Sequence, residues 1–174
     1  LPQSTIHGIV KDKYGFMWFG TWAGLCRFDG YSFRVYKYNP EDSHSINNNR
    51  IHNVIKDARG DLWVLTFAGD QLCRYNYEKD NFDRISIKKI SPSFVQLIGR
   101  NQHKNAINYS YKGFNWSLDN VRNQLVRLNK VTGEKKYYQY NSANPWSLNS
   151  SNTSDIYLDN HLIFWVGSSG YGVN

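Results

Sequence analysis

Three aspartates in this chain stand where carboxylate chemistry would be sought first. Asp12 and Asp57 are 45 residues apart, and Asp159 lies six residues before Trp165. Carboxylates cleave a glycosidic bond only as a pair flanking it at a set separation. Here each aspartate heads a tight turn, as in Asp12-Lys13-Tyr14-Gly15, where Asp accepts from forward backbone N–H groups and Gly takes positive φ. His7, His44, His52, His103 and His161 show no metal-ligand spacing, and His7 and His52 recur one repeat apart on inner strands, which points to a structural role. Cys26 and Cys73 occupy the same place in successive repeats, a separation beyond the roughly 7 Å a disulfide spans, so two free thiols are expected. No His-Glu-x-x-His, Cys-x-x-Cys, Gly-x-Ser-x-Gly or phosphate-binding glycine loop occurs. The sequence therefore predicts a protein with no catalytic residues, no metal and no cofactor.

The elements that position these residues are repeats. Asp-x-x-Gly-x-x-Trp occurs at Asp12–Trp18, followed by Gly24-Leu25-Cys26-Arg27-Phe28-Asp29. It occurs again at Asp57–Trp63, followed by Leu72-Cys73-Arg74-Tyr75-Asn76. Worn copies appear at Gly113–Trp116 with Leu125–Asn129, and at Asp159–Gly167. A period of about 40–50 residues is the mark of a propeller or solenoid. Each good repeat divides into four short strands, one blade of a propeller. Blade 1 is expected over about 6–38, blade 2 over 51–88, blade 3 over 94–140 and a partial blade 4 over 153–174. The inner strand of blade 3 is assigned either to Phe94–Ile98 or to Ala106–Tyr111, and Gly99–Asn105 has no clear place in the repeat. Trp18, Trp63, Trp116 and Trp165 read as wedges between blades. The linker Tyr36–Asn47 is echoed by Tyr138–Asn149 at an offset of 102, so the linker belongs to the geometry of the fold.

The fold class expected is all-β: a β-propeller segment of about three and a half four-stranded blades. A propeller closes with about four to eight blades, so completion to about seven by dimerisation, or by the remainder of a larger propeller, is expected. Aromatic residues make up 16% of the chain, a profile that suits half-buried pleated surfaces. There is no apolar run of about 18 residues to contact a membrane. The net charge of +7 is scattered, with Lys88-Lys89 and Lys135-Lys136 the only basic doublets, which argues against nucleic acid as partner.

The string Asp-x-x-Gly-Phe-x-Trp-x-Gly-Thr-x-x-Gly-Leu-x-Arg-Phe-Asp, from Asp12 to Asp29, resembles the two-component regulator propeller repeat. It is similar to the periplasmic sensor region of hybrid two-component systems of Bacteroides-type bacteria, here as an N-terminal fragment. The second repeat departs from the pattern at Leu65, and the third has Ser110 in place of Asp. The resemblance implies a β-propeller in the periplasm that detects polysaccharide-derived ligands upstream of a histidine kinase.

In a propeller, the connections between second and third strands and those entering the next blade emerge on one face. Here they carry Trp22, Asn48, Arg50, Asp70, Gln71, Arg122 and Tyr171, with Asn120 and Asn123 beside Arg122. Such a mixture suits an oligosaccharide: rings stack on the apolar faces of sugars, while amides and arginine bind hydroxyls and carboxylates. Trp22 is the sharpest candidate, with packing against the rim as its competing role. A structural or protein-interaction module without a small-molecule ligand is the alternative reading.

Overall fold

A computed structural model describes residues 5–99, 109–119, 121–122, 124–159 and 163–173. The fold is all-β: among the described residues there are three four-stranded antiparallel sheets and one three-stranded sheet, each made of strands consecutive in sequence. Sheet 1 comprises β1 (Ile6–Lys11), β2 (Met17–Thr21), β3 (Gly24–Phe28) and β4 (Phe33–Tyr36). Sheet 2 comprises β5 (Ile51–Lys56), β6 (Leu62–Thr66), β7 (Gln71–Asn76) and β8 (Asn81–Ser86). Sheet 3 holds β9 (Tyr109–Tyr111), β10 (Phe114–Asp119), β11 (Gln124–Asn129) and β12 (Lys135–Tyr138). Sheet 4 holds β13 (Thr153–Leu158), β14 (Phe164–Ser168) and β15 (Gly172–Val173).

One device recurs at the turn between first and second strands. Asp12 Oδ1 accepts from the backbone N–H of Tyr14 and Phe16 at 2.9 and 3.0 Å, while Oδ2 accepts from the Trp18 indole at 2.7 Å. Asp57 holds Arg59 N, Asp61 N and the Trp63 indole, and Asp159 holds Ile163 N and the Trp165 indole. The aspartate thus closes the turn with one oxygen and satisfies the indole N–H with the other. That second bond explains why the repeat carries Trp and not Phe six residues later. The repeat's arginine lies near the same ring. Arg27, Arg74 and Arg127 are the cross-strand partners of Trp18, Trp63 and Trp116, and lie 5.7–5.9 Å from those ring centroids.

Sheets pack face to face through their inner strands. A Cβ placed on Gly20 would sit 2.7 Å from Ile51 Cγ2 of sheet 2, so only glycine lets β2 approach β5 this closely. The equivalent Gly167 in sheet 4 meets Ile6 and Ile9 of sheet 1 in the same manner, at 3.1 and 3.2 Å. Sheet 4 therefore stands to sheet 1 as sheet 1 stands to sheet 2. Asp155 accepts from Ile9 N at 2.9 Å, and Lys11 pairs with Asp159 at 3.6 Å, both across that seam. Leu118 and Leu125 of sheet 3 join Ile156 and Val166 of sheet 4 in one apolar cluster. The blades follow in the spatial order 3, 4, 1, 2. The face of blade 1 that an open wedge would expose is covered by sheet 4.

One expectation is corrected here. The stretch Phe94–Ile98, offered as an inner strand, belongs to helix α1 (Pro92–Gly99). Ser91 accepts from Phe94 N and Val95 N at the helix start, and Pro92 takes the first helical position, where its missing N–H costs nothing. The helix lies against sheet 2, where Asn53 Nδ2 donates to Ile98 O at 2.8 Å. Leu65 occupies the position of Gly20 and packs into the cluster of Ile55, Leu72 and Ile98. A helix stands farther off than a strand, which leaves room for the leucine. Residues 100–108, with Ala106 and most of the unplaced stretch, lie outside the described residues.

An ionic knot ties sheets 1 and 2 on their outer side. Asp80 accepts from Tyr36 Oη at 2.5 Å and Arg27 Nη1 at 3.3 Å, and also from Tyr75 Oη and Arg34 Nη1. Burial pushes the Asp80 carboxyl up, but the Tyr36 and Tyr75 hydrogen bonds and the Arg27 and Arg34 charges outweigh it and hold it below the usual carboxylate range. A depressed folded-state pKa adds stability that is present above the unfolded value, about 3.9, and is lost as pH falls through the folded value. Asp80→Asn is expected to cost about 1–2 kcal/mol at neutral pH, since the site is partly screened by solvent. It should also flatten the loss of stability below about pH 4. Urea titrations of both proteins from acid to neutral pH check this, and parallel curves would refute it.

Candidate functional site

The strand register defines one edge of every sheet. Ile6 pairs with Thr21, Ile51 with Thr66, Asp119 with Gln124 and Thr153 with Ser168. The turns after these second strands, together with the chain entering each inner strand, therefore share an edge. A hydroxyl organises the turn in sheets 1, 2 and 4, and the Asp119 carboxylate does so in sheet 3. Thr21 Oγ1 donates to Gly24 O at 2.7 Å and accepts from Ala23 N at 3.0 Å; Ser168 Oγ donates to Gly172 O at 3.1 Å. The side chain that follows the hydroxyl in sheets 1 and 2, Trp22 or Phe67, is left half in solvent, 41% and 52% exposed.

Trp22 has two neighbours on this edge. The His7 ring stacks on it at 5.0 Å with an interplanar angle of 13°, and the Arg50 guanidinium lies 5.0 Å from its centroid. Arg50 is fixed through its backbone: its N–H donates to Asn48 Oδ1 at 2.8 Å and its carbonyl accepts from Phe67 N at 2.9 Å. Arg50 as a residue is exposed. Trp22 from sheet 1 and Arg50 from the entry to sheet 2 thus form a bipartite surface across a blade seam. A flat apolar ring beside a solvent-facing cation can stack on a pyranose and pair with a carboxylate. His52 stands likewise beside Phe67, but edge-on, with ring centroids 5.2 Å apart and an interplanar angle of 61°.

Of the seven candidate residues, the structure joins Trp22, Asn48 and Arg50 in one patch. Asn48 contributes through the bond that fixes Arg50. Asp70 is exposed in the turn before β7, its carbonyl accepting from Ile87 N, and Gln71 is half-buried as the first residue of that strand. Arg122 is exposed in the turn after β10, its N–H bonded to Asp119 Oδ1. Tyr171, 66% exposed, sits in the turn of sheet 4, its carbonyl accepting from Asn149 Nδ2. These four share the edge but belong to sheets 2, 3 and 4. Asn120 and Asn123 lie outside the described residues. Cys26 and Cys73 are free and buried, and burial pushes both thiols up to about 11. The support from His7 was missed as part of the site. Its recurrence at His52, each followed 15 residues later by an aromatic, is the signal that would have found it.

A model of the two-component regulator propeller matches residues 1–23 and 45–68. The histidine kinase P4 of Formosa agariphila is 52% identical over 46 residues, which is 26% of this chain and 3% of that protein. Among solved structures, the extracellular domain assigned to a hybrid two component system of B. thetaiotaomicron is 19% identical. The match covers 94% of this chain and 22% of that one, with a TM-score of 0.39. Virginiamycin B lyase from Staphylococcus aureus is 14% identical, covering 95% and 49% of the two chains with a TM-score of 0.37. The chain thus spans less than half the length of each of these proteins. The matched residues hold both aspartate-to-tryptophan turns, and over these two stretches the chain is similar to the two-component regulator propeller repeat.

Proposed function

We propose that this chain is the sensing part of a two-component regulator, placed outside the cytoplasm, and that it binds a polysaccharide-derived ligand without catalysis. The single observation that carries the reading is the cluster of Arg50, Trp22 and His7 on the turn edge, a part-exposed ring and an exposed cation held across a blade seam. The family match supports a role in two-component signalling, and the histidine kinase relative supports a kinase as the receiver of the signal. The arginine favours an acidic sugar over a neutral one. The aspartates a hydrolase would need are spent on turns and indoles.

Calorimetric titration with uronic-acid oligosaccharides tests this. Saturable binding is expected, and Trp22→Ala and Arg50→Gln should each weaken it at least about tenfold, the loss of a stacking contact or a charged hydrogen bond. Unchanged affinity in both variants would refute the site. A protein that binds no saccharide would favour the protein-interaction reading.

A further inference from the structure

The residue that follows the turn hydroxyl can be compared in three sheets. After Thr21 comes Trp22, after Thr66 comes Phe67 and after Ser168 comes Ser169. Their backbones are held alike. Ala23 N donates to Thr21 Oγ1 at 3.0 Å and Ala68 N to Thr66 Oγ1 at 3.3 Å. Phe67 N donates to Arg50 O and Ser169 N to Asn152 O, both at 2.9 Å. The side chains differ: sheets 1 and 2 present a part-exposed ring, and sheet 4 a half-buried serine.

Arg50 links the two rings. Its carbonyl holds the turn of Phe67, while its guanidinium lies 5.0 Å from the Trp22 centroid. Each ring also has a histidine beside it, His7 stacked on Trp22 and His52 edge-on to Phe67. Stacked sheets lie about 10 Å apart, so rings on neighbouring sheets seat two successive units of a chain and not one unit twice.

The two turns carry different charge. That of sheet 1 is Trp22-Ala23, uncharged, with the Arg50 cation beside its ring. That of sheet 2 is longer, Phe67-Ala68-Gly69-Asp70, and Asp70 is exposed in it, its carbonyl tied to Ile87 N at 3.1 Å. An ionised carboxylate only accepts: it takes hydrogen bonds from sugar hydroxyls and repels a second carboxylate.

We propose that the turn edge of sheets 1 and 2 seats two successive sugars of one chain, an acidic unit on Trp22 and Arg50 and a neutral unit on Phe67 and Asp70. This deepens the saccharide reading above and rests on it. The ligand class it assigns is a mixed saccharide in which a uronic acid adjoins a neutral sugar, not a chain of uronic acid throughout. Trp22 stacks on the first unit and Arg50 pairs with its carboxylate. Phe67 stacks on the second, and Asp70 accepts from its hydroxyls. A carboxylate on that second unit would meet the charge of Asp70. Toward sheet 4 the place of the ring is taken by Ser169, so the row of stacking seats ends at Trp22 on that side.

The test compares three probes on the whole chain, with the Trp22 indole signal in nitrogen-15 spectra as readout. They are glucuronic acid, a tetramer of glucuronic acid, and a tetrasaccharide alternating glucuronic acid with N-acetylglucosamine. The alternating tetrasaccharide is expected to bind at least about tenfold more tightly than glucuronic acid, the gain of a second stacked ring. It should bind about two- to fivefold more tightly than the uronate tetramer, the scale of an exposed charge contact. Phe67→Ala should remove most of the first preference, and Asp70→Lys should reverse the second. A first preference that is absent or survives Phe67→Ala would overturn the two-seat assignment and leave the Trp22–Arg50 site standing. So would a second preference that is absent or survives Asp70→Lys. A Trp22 signal that answers none of the probes would overturn the saccharide reading itself, and this inference with it.

Discussion

Asp12→Ala is expected to lower the free energy of unfolding by about 3–5 kcal/mol, among the largest effects of any single substitution in this chain. Asp12 is 4% exposed, and its carboxylate holds three donors, the amides of Tyr14 and Phe16 and the indole of Trp18. The turn amides sit beside exposed residues and regain water when the carboxylate is gone. The indole cannot: Trp18 is fully buried, with Tyr36 and Tyr75 at 5.4 and 4.7 Å. An unpaired buried donor costs about 1–3 kcal/mol beyond the bond itself. Asp57→Ala should cost less, because Trp63 is only half-buried. Urea unfolding followed by tryptophan fluorescence measures both, and equal small losses would mean the aspartates serve the turns alone.

Gly24→Ala is expected to cost as much, about 3–5 kcal/mol, for a different reason. Gly24 has φ +125°, a region side chains rarely adopt, and a Cβ there would lie 2.6 Å from the Tyr36 carbonyl oxygen. The neighbouring atom is backbone within the β3–β4 ladder, so relief requires parting Leu25 from Tyr36. Gly30→Ala is the control. Its φ is +105°, yet nothing lies within 4 Å of a built Cβ, so only the strain of about 1–2 kcal/mol remains. Similar losses in the two variants would show that backbone strain, not close approach, fixes Gly24.

Much of this fold was legible because the repeat encodes contacts that are local. Asp, Gly and Trp within seven residues define a turn and its buried ring, and a four-strand sheet follows from hairpin to hairpin. Sheet 3 was harder to read since Ser110 cannot perform the aspartate's double task. Helix α1 carried its own sign in Ser91-Pro92, an N-cap followed by proline, which a search for strands overlooks. The packing of sheet 4 on sheet 1 joins residues 146 apart, Ile9 and Asp155, and only the equivalence of Gly20 and Gly167 hints at it. The Asp80 knot joins residues from 5 to 53 apart and leaves no periodic trace. In the site, Trp22 and Arg50 were legible as types of residue on the right turns. Their stacking across the seam depends on the packing of two sheets, which spacing alone does not specify.

The six tryptophans permit one direct measurement of where a ligand sits. In a nitrogen-15 spectrum of the labelled chain titrated with a uronic-acid oligosaccharide, the indole signal of Trp22 should shift and saturate. Those of Trp18, Trp63 and Trp165, bonded to Asp12, Asp57 and Asp159, should stay in place. A shift at Trp146 with Trp22 unmoved, or no shift at all, would contradict a saccharide site on the turn edge.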